Sequence, residues 1–226
     1  MQDLLTEWFP YVMKKPEQFL QSIGETLTMT LWAGSLMFVL GLILGIILTM
    51  TREQGILANK AVYQVLDKVI NLFRSIPFVI LIAVLMNLTK FIMGTRIGVK
   101  GVIVPLVFGS APFFARQVEA ALCGVDAGLV EAAKAMGVGH LGIIIRVYLR
   151  EGTAALARGT TITIINLIGL TAMAGYVGAG GLGDYSIVYG YNYNRMDIVY
   201  AAVVAIVLIV SVIQLVGSFI AKKNTH

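Results

Sequence analysis

Charge is scarce in this chain. Charged side chains make up only 13% of the 226 residues, whereas 58% of the residues are hydrophobic. The mean hydropathy of +0.86 is too high for a water-soluble domain, because a chain of 24.4 kDa could not bury so much apolar surface. The composition therefore excludes a water-soluble enzyme. It also excludes a disordered chain, which needs low hydrophobicity, and it predicts a membrane protein.

Residues that commonly carry chemistry are also few. The single cysteine, Cys123, excludes a disulfide framework within the chain and a cysteine-rich zinc site. His140 and His226 are isolated in the sequence, and the acids supply no clear nucleophile–base pair, so neither a metal site nor catalysis is expected here. The sequence contains no G-x-x-x-x-G-K-[ST] phosphate loop, so a process driven by ATP would need its ATP site on another polypeptide.

Long stretches without charge predict membrane-spanning helices. Three of them exceed the ~20 residues that a helix needs to cross a bilayer. Two others are shorter, are interrupted by Pro77, Pro105 and Pro112, and must include charged flanking residues to span. Such short, proline-containing spans beside uniform ones indicate a transport path. We therefore predict an all-α polytopic membrane protein with five spans: 24–50, 60–89, 99–121, 153–176 and 197–221.

Lysine and arginine residues are distributed unevenly between the two sets of loops. Eleven fall on one side of the predicted spans and six on the other, which orients the first set to the cytoplasm by the positive-inside rule. The N-terminal segment 1–23 is then extracytoplasmic, the membrane domain covers 24–221, and the tail 222–226 is cytoplasmic. The net charge of +5 thus reflects membrane topology and gives no indication of nucleic acid binding.

The cytoplasmic loop 122–152 is too long for a simple connection. Asp126 is expected to cap a helix of about three turns that Gly137 ends. Its apolar residues recur at helical spacing: Leu129, Val130, Ala133 and Met136. Glu131 and Lys134 can pair on its other face. The small alanines favour docking into a groove on a protein, and an interfacial helix lying on lipid headgroups is the alternative.

Several motifs resemble one protein family. Glu131-Ala132-Ala133, Gly137 and Val147-Tyr148-Leu149 stand at the spacing of the EAA signature found in permease subunits of bacterial ABC importers. Three further stretches resemble the methionine-uptake subclass: NLFRSIPFVIL (Asn71–Leu81), GSAPFFARQVEAAL (Gly109–Leu122) and LTAMAGYVGAGGLG (Leu170–Gly183). The similarity covers about residues 24–221. One position departs from it, since the family usually has proline where this chain has Arg150, so the helix is free to continue there.

The resemblance implies the permease subunit of a type I ABC importer in the bacterial cytoplasmic (inner) membrane. Two copies of the chain would form the path for an amino acid, methionine or a related sulfur amino acid. Two ATPase subunits on the cytoplasmic side would carry ATP and Mg, so no cofactor is expected in this chain, and an extracytoplasmic binding protein would deliver the substrate. Another small amino acid or a peptide is the alternative substrate. A stand-alone membrane channel and a membrane-embedded enzyme are the rival functions.

The resemblance also implies roles for the short cytoplasmic helix. Glu131, Ala132, Ala133 and Gly137 would form the coupling helix, which seats in a groove on the ATPase and transmits its closure as a rigid-body movement of the spans. For Glu131, a solvated helix face is the alternative.

Five residues are candidates for the path or its gate. Arg74, Ser75 and Pro77 form a hinge beside the path or, alternatively, a tolerated kink with Arg74 reaching the headgroups. Asn166 is a gate or substrate contact, or it makes an interhelical hydrogen bond. Met173 lines the path of a sulfur-amino-acid importer or simply fills space.

Three further patterns have structural interpretations. Gly178, Gly180 and Gly183 spell G-x-G-x-x-G, but no strand precedes them, so they predict a tight turn rather than a dinucleotide site. Gly41 and Gly45 predict a close helix contact without naming the partner. A cluster of tyrosines fits an outer aromatic belt or a docking surface for the binding protein: Tyr185, Tyr189, Tyr191 and Tyr193.

Overall fold

The computed structural model describes residues 8–224, and within that range the chain is helical and contains no strand. The predicted all-α fold is confirmed. The helices are α1 Pro10–Lys14, α2 Pro16–Thr51, α3 Lys60–Ser75, α4 Phe78–Met93, α5 Gly98–Cys123, α6 Ala127–Ala135, α7 His140–Ile143, α8 Leu149–Glu151, α9 Thr153–Ala174, α10 Gly181–Asp184 and α11 Met196–Lys223. Two π-helical turns cover Ile144–Tyr148 and Tyr185–Gly190. The parts of the predicted terminal segments at 1–7 and 225–226, including His226, lie outside the described residues.

Four helical segments are long and apolar enough to cross a membrane: α2, α5, α9 with the turn that follows it, and α11. The fifth predicted span, 60–89, is not one helix. It is the pair α3 and α4, which is bent by 109° at a short break. Pro77 stands at the break with φ −56° and ψ 134°, an extended conformation that a helix cannot contain. The pair gives the fifth span only when its two helices are counted together.

The prediction that prolines interrupt the third span is wrong. Helix α5 runs unbroken through Pro105 and Pro112, and both prolines are buried. Two-thirds of its most apolar window is buried, against a third or less for the other three candidate spans. Each proline removes one backbone donor, but the close packing around most of this window holds the helix together.

The chain divides into two compact units. The described residues 8–35, 76–109 and 164–213 form the first unit, and 36–75, 110–163 and 214–224 form the second. The predicted close helix contact at Gly41 and Gly45 is confirmed in the second unit, and its partner is α5. A Cβ on Gly41 would lie 2.7 Å from Cδ1 of Phe114, and one on Gly45 would lie 2.4 Å from Cβ of Val118. Neither distance leaves room for a side chain.

The tyrosine cluster of the first unit does not form a uniform belt. Tyr185 is buried in a cluster with Val12, Ile198 and Ala201, so it is not the exposed ring that an aromatic belt or a docking surface requires. Its neighbour Tyr189 is exposed, as are Tyr191 and Tyr193. The difference arises because the π-helical turn directs Tyr185 toward the chain's own helices.

Candidate functional site

The short helix predicted in loop 122–152 is present as α6, in the second unit. The carboxylate of Asp126 accepts a hydrogen bond of 2.7 Å from the backbone N–H of Gly128, which caps the start of the helix as predicted. Gly137 has φ +76°, a left-handed conformation that favours glycine, and its N–H donates to the carbonyl of Lys134 at 2.9 Å. The sequence signals at both ends of α6 are therefore confirmed.

The apolar residues of α6 divide into two sets. Val130 and Ala133 are buried and pack α6 onto its own chain. Leu129 and Met136 are 45% and 75% exposed, so the single apolar stripe expected from the sequence is wrong. Together with exposed Ala132, these two residues stand at i, i+3 and i+7, the spacing of one helix face. An outward apolar face on so short a helix is suited to contact with another molecule.

Glu131 lies exposed beside this outward face. It forms no ion pair with Lys134, since the only ion pairs found between residues 8 and 224 both involve Arg116. The predicted pairing along α6 is therefore absent, and the carboxylate of Glu131 is free for a partner. Further along, α6 packs against the π-helical turn Ile144–Tyr148, in which Ile145 is also exposed.

That π-helical turn is anchored through Tyr148. Its side chain is buried, and burial raises the pKa of its phenol, while the nearby Arg52 guanidinium acts in the opposite direction. Arg52 in turn donates from Nη1 to Sγ of Cys123 at 2.8 Å. The helical backbone continues through Arg150 to Gly152 and on into α9, as expected when the family's proline is missing.

Arg116 joins helices α3 and α5 in the second unit. Its guanidinium forms ion pairs with Asp67 on α3 and, at 2.7 Å, with Glu119 on α5. It also donates to the side-chain oxygen of Asn71 at 3.2 Å, and the Tyr63 hydroxyl donates to Glu119 at 3.1 Å. Three of the five charges that flank the short stretches, Asp67, Arg116 and Glu119, are thus paired with one another. Lys68 and Arg74, in contrast, are exposed.

Arg74, Ser75 and Pro77 stand at the break between α3 and α4. All three are exposed, and the Ser75 hydroxyl donates to the backbone carbonyl of Asn71 at 2.8 Å. One helix ends here and another begins, so the interpretation of Pro77 as a tolerated kink within a single helix is excluded. A hinge role remains a prediction.

Asn166 and Met173 are both exposed on α9 in the first unit. The Asn166 amide makes no hydrogen bond to any residue between 8 and 224, so the predicted interhelical hydrogen bond is not formed within this chain. The threonines near it use their donors locally, since Thr160 and Thr163 donate to carbonyls four residues back at 2.8 and 2.7 Å. Asn166 is therefore an exposed polar side chain on this helix that a second copy or a solute could meet.

Sequence reasoning missed the role of Glu25 and Thr26 in the first unit. The Glu25 carboxylate accepts from the Gly181 N–H at 2.7 Å, and the Thr26 hydroxyl oxygen accepts from the Leu182 N–H at 2.9 Å. The predicted glycine turn is present here, with φ +81° at Gly180. The available signal was Glu25 itself, an acid at the edge of a charge-free span, but no sequence pattern connects it to a turn so far along the chain.

A polar cavity of about 270 Å³ lies beside this turn. Glu25, Asp184, Gln18 and Gln21 contribute to its lining. Burial raises the pKa of Asp184, and the negative charge of Glu25 adds to the effect. The cavity therefore brings two carboxyl groups together without a cation among its lining residues.

Several apolar helices, together with a short helix that turns an apolar face outward, define a multi-helix membrane transport subunit. Residues 38–224 match the family described as "Binding-protein-dependent transport system inner membrane component", and the chain belongs to this family. The resemblance seen in the EAA segment is thereby confirmed.

Similar proteins cover nearly the whole chain. The probable D-methionine transport system permease protein MetI of Vibrio cholerae serotype O1 is 39% identical over 98% of this chain and 97% of that protein. The methionine import system permease protein MetP of Bacillus subtilis is 48% identical over 78% of this chain and 79% of its own length. A chain from inward-facing structures of the MetNI methionine ABC transporter matches with a TM-score of 0.91 and 41% identity, covering 94% of this chain and 99% of that one.

Proposed function

We propose that this chain is the transmembrane permease subunit of an ATP-driven importer of methionine or a related sulfur amino acid. The observation that carries the proposal is the similarity to a D-methionine permease over 98% of this chain and 97% of the relative. The fold match to a chain of a methionine ABC transporter, at a TM-score of 0.91, agrees with it.

The proposed complex contains two copies of this chain and two ATPase subunits, with a substrate-binding protein on the outer face. The exposed face of α6 supports the ATPase contact, because no helix among residues 8–224 covers Leu129, Ala132 and Met136. ATP and Mg would be held by the ATPase subunits. Exposed Asn166 supports a contact with the second copy or with the solute in the shared path.

In this proposal the coupling residues have different roles. Glu131 and Ala132 face outward and would contact the ATPase, whereas Ala133 is buried and fixes α6 to the permease. Gly137 ends the helix, so that the chain returns to the π-helical turn anchored by Tyr148. A push on α6 would therefore move the attached helices as a body rather than bend a loop. Arg74, Ser75, Pro77 and Met173 remain predicted path residues.

We predict that an aspartate on the outward face of α6 uncouples the transporter. In Ala132→Asp, a carboxylate would be desolvated in the ATPase groove, so ATPase binding and methionine uptake should both fall by about tenfold or more. The measurement is copurification of the ATPase and uptake of labelled methionine into proteoliposomes that contain the complete complex. Asn192→Asp adds the same charge at an exposed position far along the chain and should leave ATPase binding unchanged.

Two results would distinguish a failure of the importer proposal from a failure of the substrate proposal. Methionine uptake that persists with no ATPase bound would make the chain a stand-alone channel and refute the importer. ATPase-dependent uptake of another amino acid, with no competition from methionine, would support the role as a permease but refute methionine as its substrate.

The proposed orientation places the N-terminus outside the cell and the C-terminus inside. It is supported by the unequal distribution of lysine and arginine. We predict that a cysteine placed at Lys134 in a Cys123→Ser chain is not labelled by a membrane-impermeant thiol reagent in intact cells, but is labelled after lysis. A cysteine at Asn192 should be labelled in intact cells. The opposite pattern would invert the topology.

A further inference from the structure

An apolar groove of about 490 Å³ lies on the first unit. One side is formed by α1 and the first turns of α2, through Val12, Phe19 and Ile23, and the other side is formed by α11, through Ala201, Val204 and Leu208. Its lining contains no charged residue. Val204 and Leu208 are 51% and 61% exposed, so the groove is open along α11 rather than closed over as a core.

The two helices that form the groove run in parallel. Val12 and Phe19 cluster with Ile198 and Ala201, and further along both helices Phe19 and Ile23 cluster with Ala205 and Ile209. From Ala201 to Ile209 the groove extends about 12 Å at the rise of an α-helix, which is most of one leaflet of a ~30 Å hydrocarbon layer. Both helices begin at the same end of the groove.

Basic side chains gather at that end. The Lys14 ammonium lies 5.1 Å and the Arg195 guanidinium 4.3 Å from the ring centroid of Tyr11. Lys15 follows directly in the sequence and is exposed. The nearby carboxylate of Asp197 already accepts a hydrogen bond of 2.9 Å from the backbone N–H of Tyr11, which holds α1 against α11. Glu17, in the first turn of α2, is another acid near this end.

We propose that this groove binds one phospholipid with an anionic headgroup from the surrounding bilayer. An acyl chain would occupy the apolar groove, and the headgroup phosphate would lie between Lys14 and Arg195. The apolar lining offers nothing to a polar solute, and the groove is open along α11, a helix long and apolar enough to span a bilayer. The cations supply the charge complementarity that an acidic headgroup requires. The inference needs only a membrane-spanning chain, so it stands apart from the proposed transport function.

Native mass spectrometry of the delipidated full-length chain in detergent tests the proposal. The probes are phosphatidylglycerol and phosphatidylcholine with identical acyl chains. Phosphatidylglycerol should bind more tightly, and Lys14→Gln with Arg195→Gln should weaken it about fivefold for each cation removed, with phosphatidylcholine unaffected. Leu208→Trp fills the open side of the groove and should reduce binding of both lipids severalfold.

Matched variants on α11 serve as controls. Leu215→Trp adds the same bulk two turns further along the helix, and Lys222→Gln with Lys223→Gln removes two exposed cations from its opposite end. Neither should change the binding of either lipid. The substituted α11 side chains are exposed, so these variants should retain the fold, which circular dichroism checks.

Three outcomes would overturn the proposal. Equal binding of the two lipids, unaffected by loss of Lys14 and Arg195, would refute recognition of the headgroup. Unchanged binding in Leu208→Trp would refute the groove as the site. A disulfide between two copies of a Leu208→Cys, Cys123→Ser chain would show that a second copy covers this face.

Discussion

Replacing Arg116 with methionine is expected to destabilise the protein by about 2–3 kcal/mol. The substitution keeps much of the side-chain volume but leaves Asp67 and Glu119 without their cation, each in a partly buried position. Unpaired carboxylates in such surroundings are costly, whereas the intact ion pairs contribute little net stability. The free energy of unfolding, measured by circular dichroism during titration with a denaturing detergent, gives the result.

Two further variants test the cause of that loss. The triple variant Arg116→Met, Asp67→Asn, Glu119→Gln removes all of the charges together and should recover at least half of the lost stability. Arg158→Met removes an exposed arginine that has no ion pair among the described residues, and it should change stability by no more than about 0.5 kcal/mol. A triple variant as unstable as Arg116→Met alone would show that packing, and not charge, is responsible.

Adding one methyl group at Gly183 is expected to cost about 3 kcal/mol and to abolish transport. A Cβ at this position would lie 2.2 Å from the carbonyl oxygen of Ala172 and 2.6 Å from its Cα. Both contacts are with backbone, which cannot rotate away as a flexible side chain can. The turn that Glu25 and Thr26 hold would therefore have to shift from the end of α9. Thermal unfolding and methionine uptake of Gly183→Ala measure the two effects.

Gly169→Ala is the matched control for this substitution. Gly169 lies within α9, and a Cβ there would meet nothing within 4 Å. Alanine at this position should stabilise the helix by about 0.5–1 kcal/mol, because glycine loses more conformational entropy on folding. Equal stabilities of the Gly183→Ala protein and the wild type would mean that the backbones at Ala172 and Gly183 are not in contact.

Most of the structure that could be predicted from the sequence depends on residues a few positions apart. Asp126 and Gly137 delimit α6 because capping depends on residues a few positions away. The G-x-x-x-G at Gly41 and Gly45 predicted a close contact, but only the fold could identify α5 as the partner. The same limit explains Pro105 and Pro112. Their effect on a helix depends on how tightly the neighbours enclose it, and that is a property of the whole bundle.

Some parts of the candidate site could be predicted from the sequence and others could not. The segment from Glu131 to Gly137 was located from its residues, because the EAA pattern is local. The sequence could not show which of its apolar residues face outward. Leu129 and Val130 fit the same periodic stripe, and only the packing of the rest of the chain buries Val130 and leaves Leu129 exposed. The contact of Glu25 with Gly181 joins residues far apart in the sequence, and no pattern along the chain encodes such a pairing.

The ion pairs of Arg116 also bear on how this chain enters the membrane during synthesis. The threonines of α9 donate to carbonyls of their own helix, so the hydroxyls of these threonines enter lipid already hydrogen-bonded. Helix α5 cannot satisfy Arg116 from its own residues alone, because one of the two carboxylates that neutralise its guanidinium belongs to α3. Helix α3 is made first, so Asp67 has already been synthesised when Arg116 leaves the ribosome. The order of the helices along the chain thus provides a partner for the guanidinium before it has to enter the bilayer.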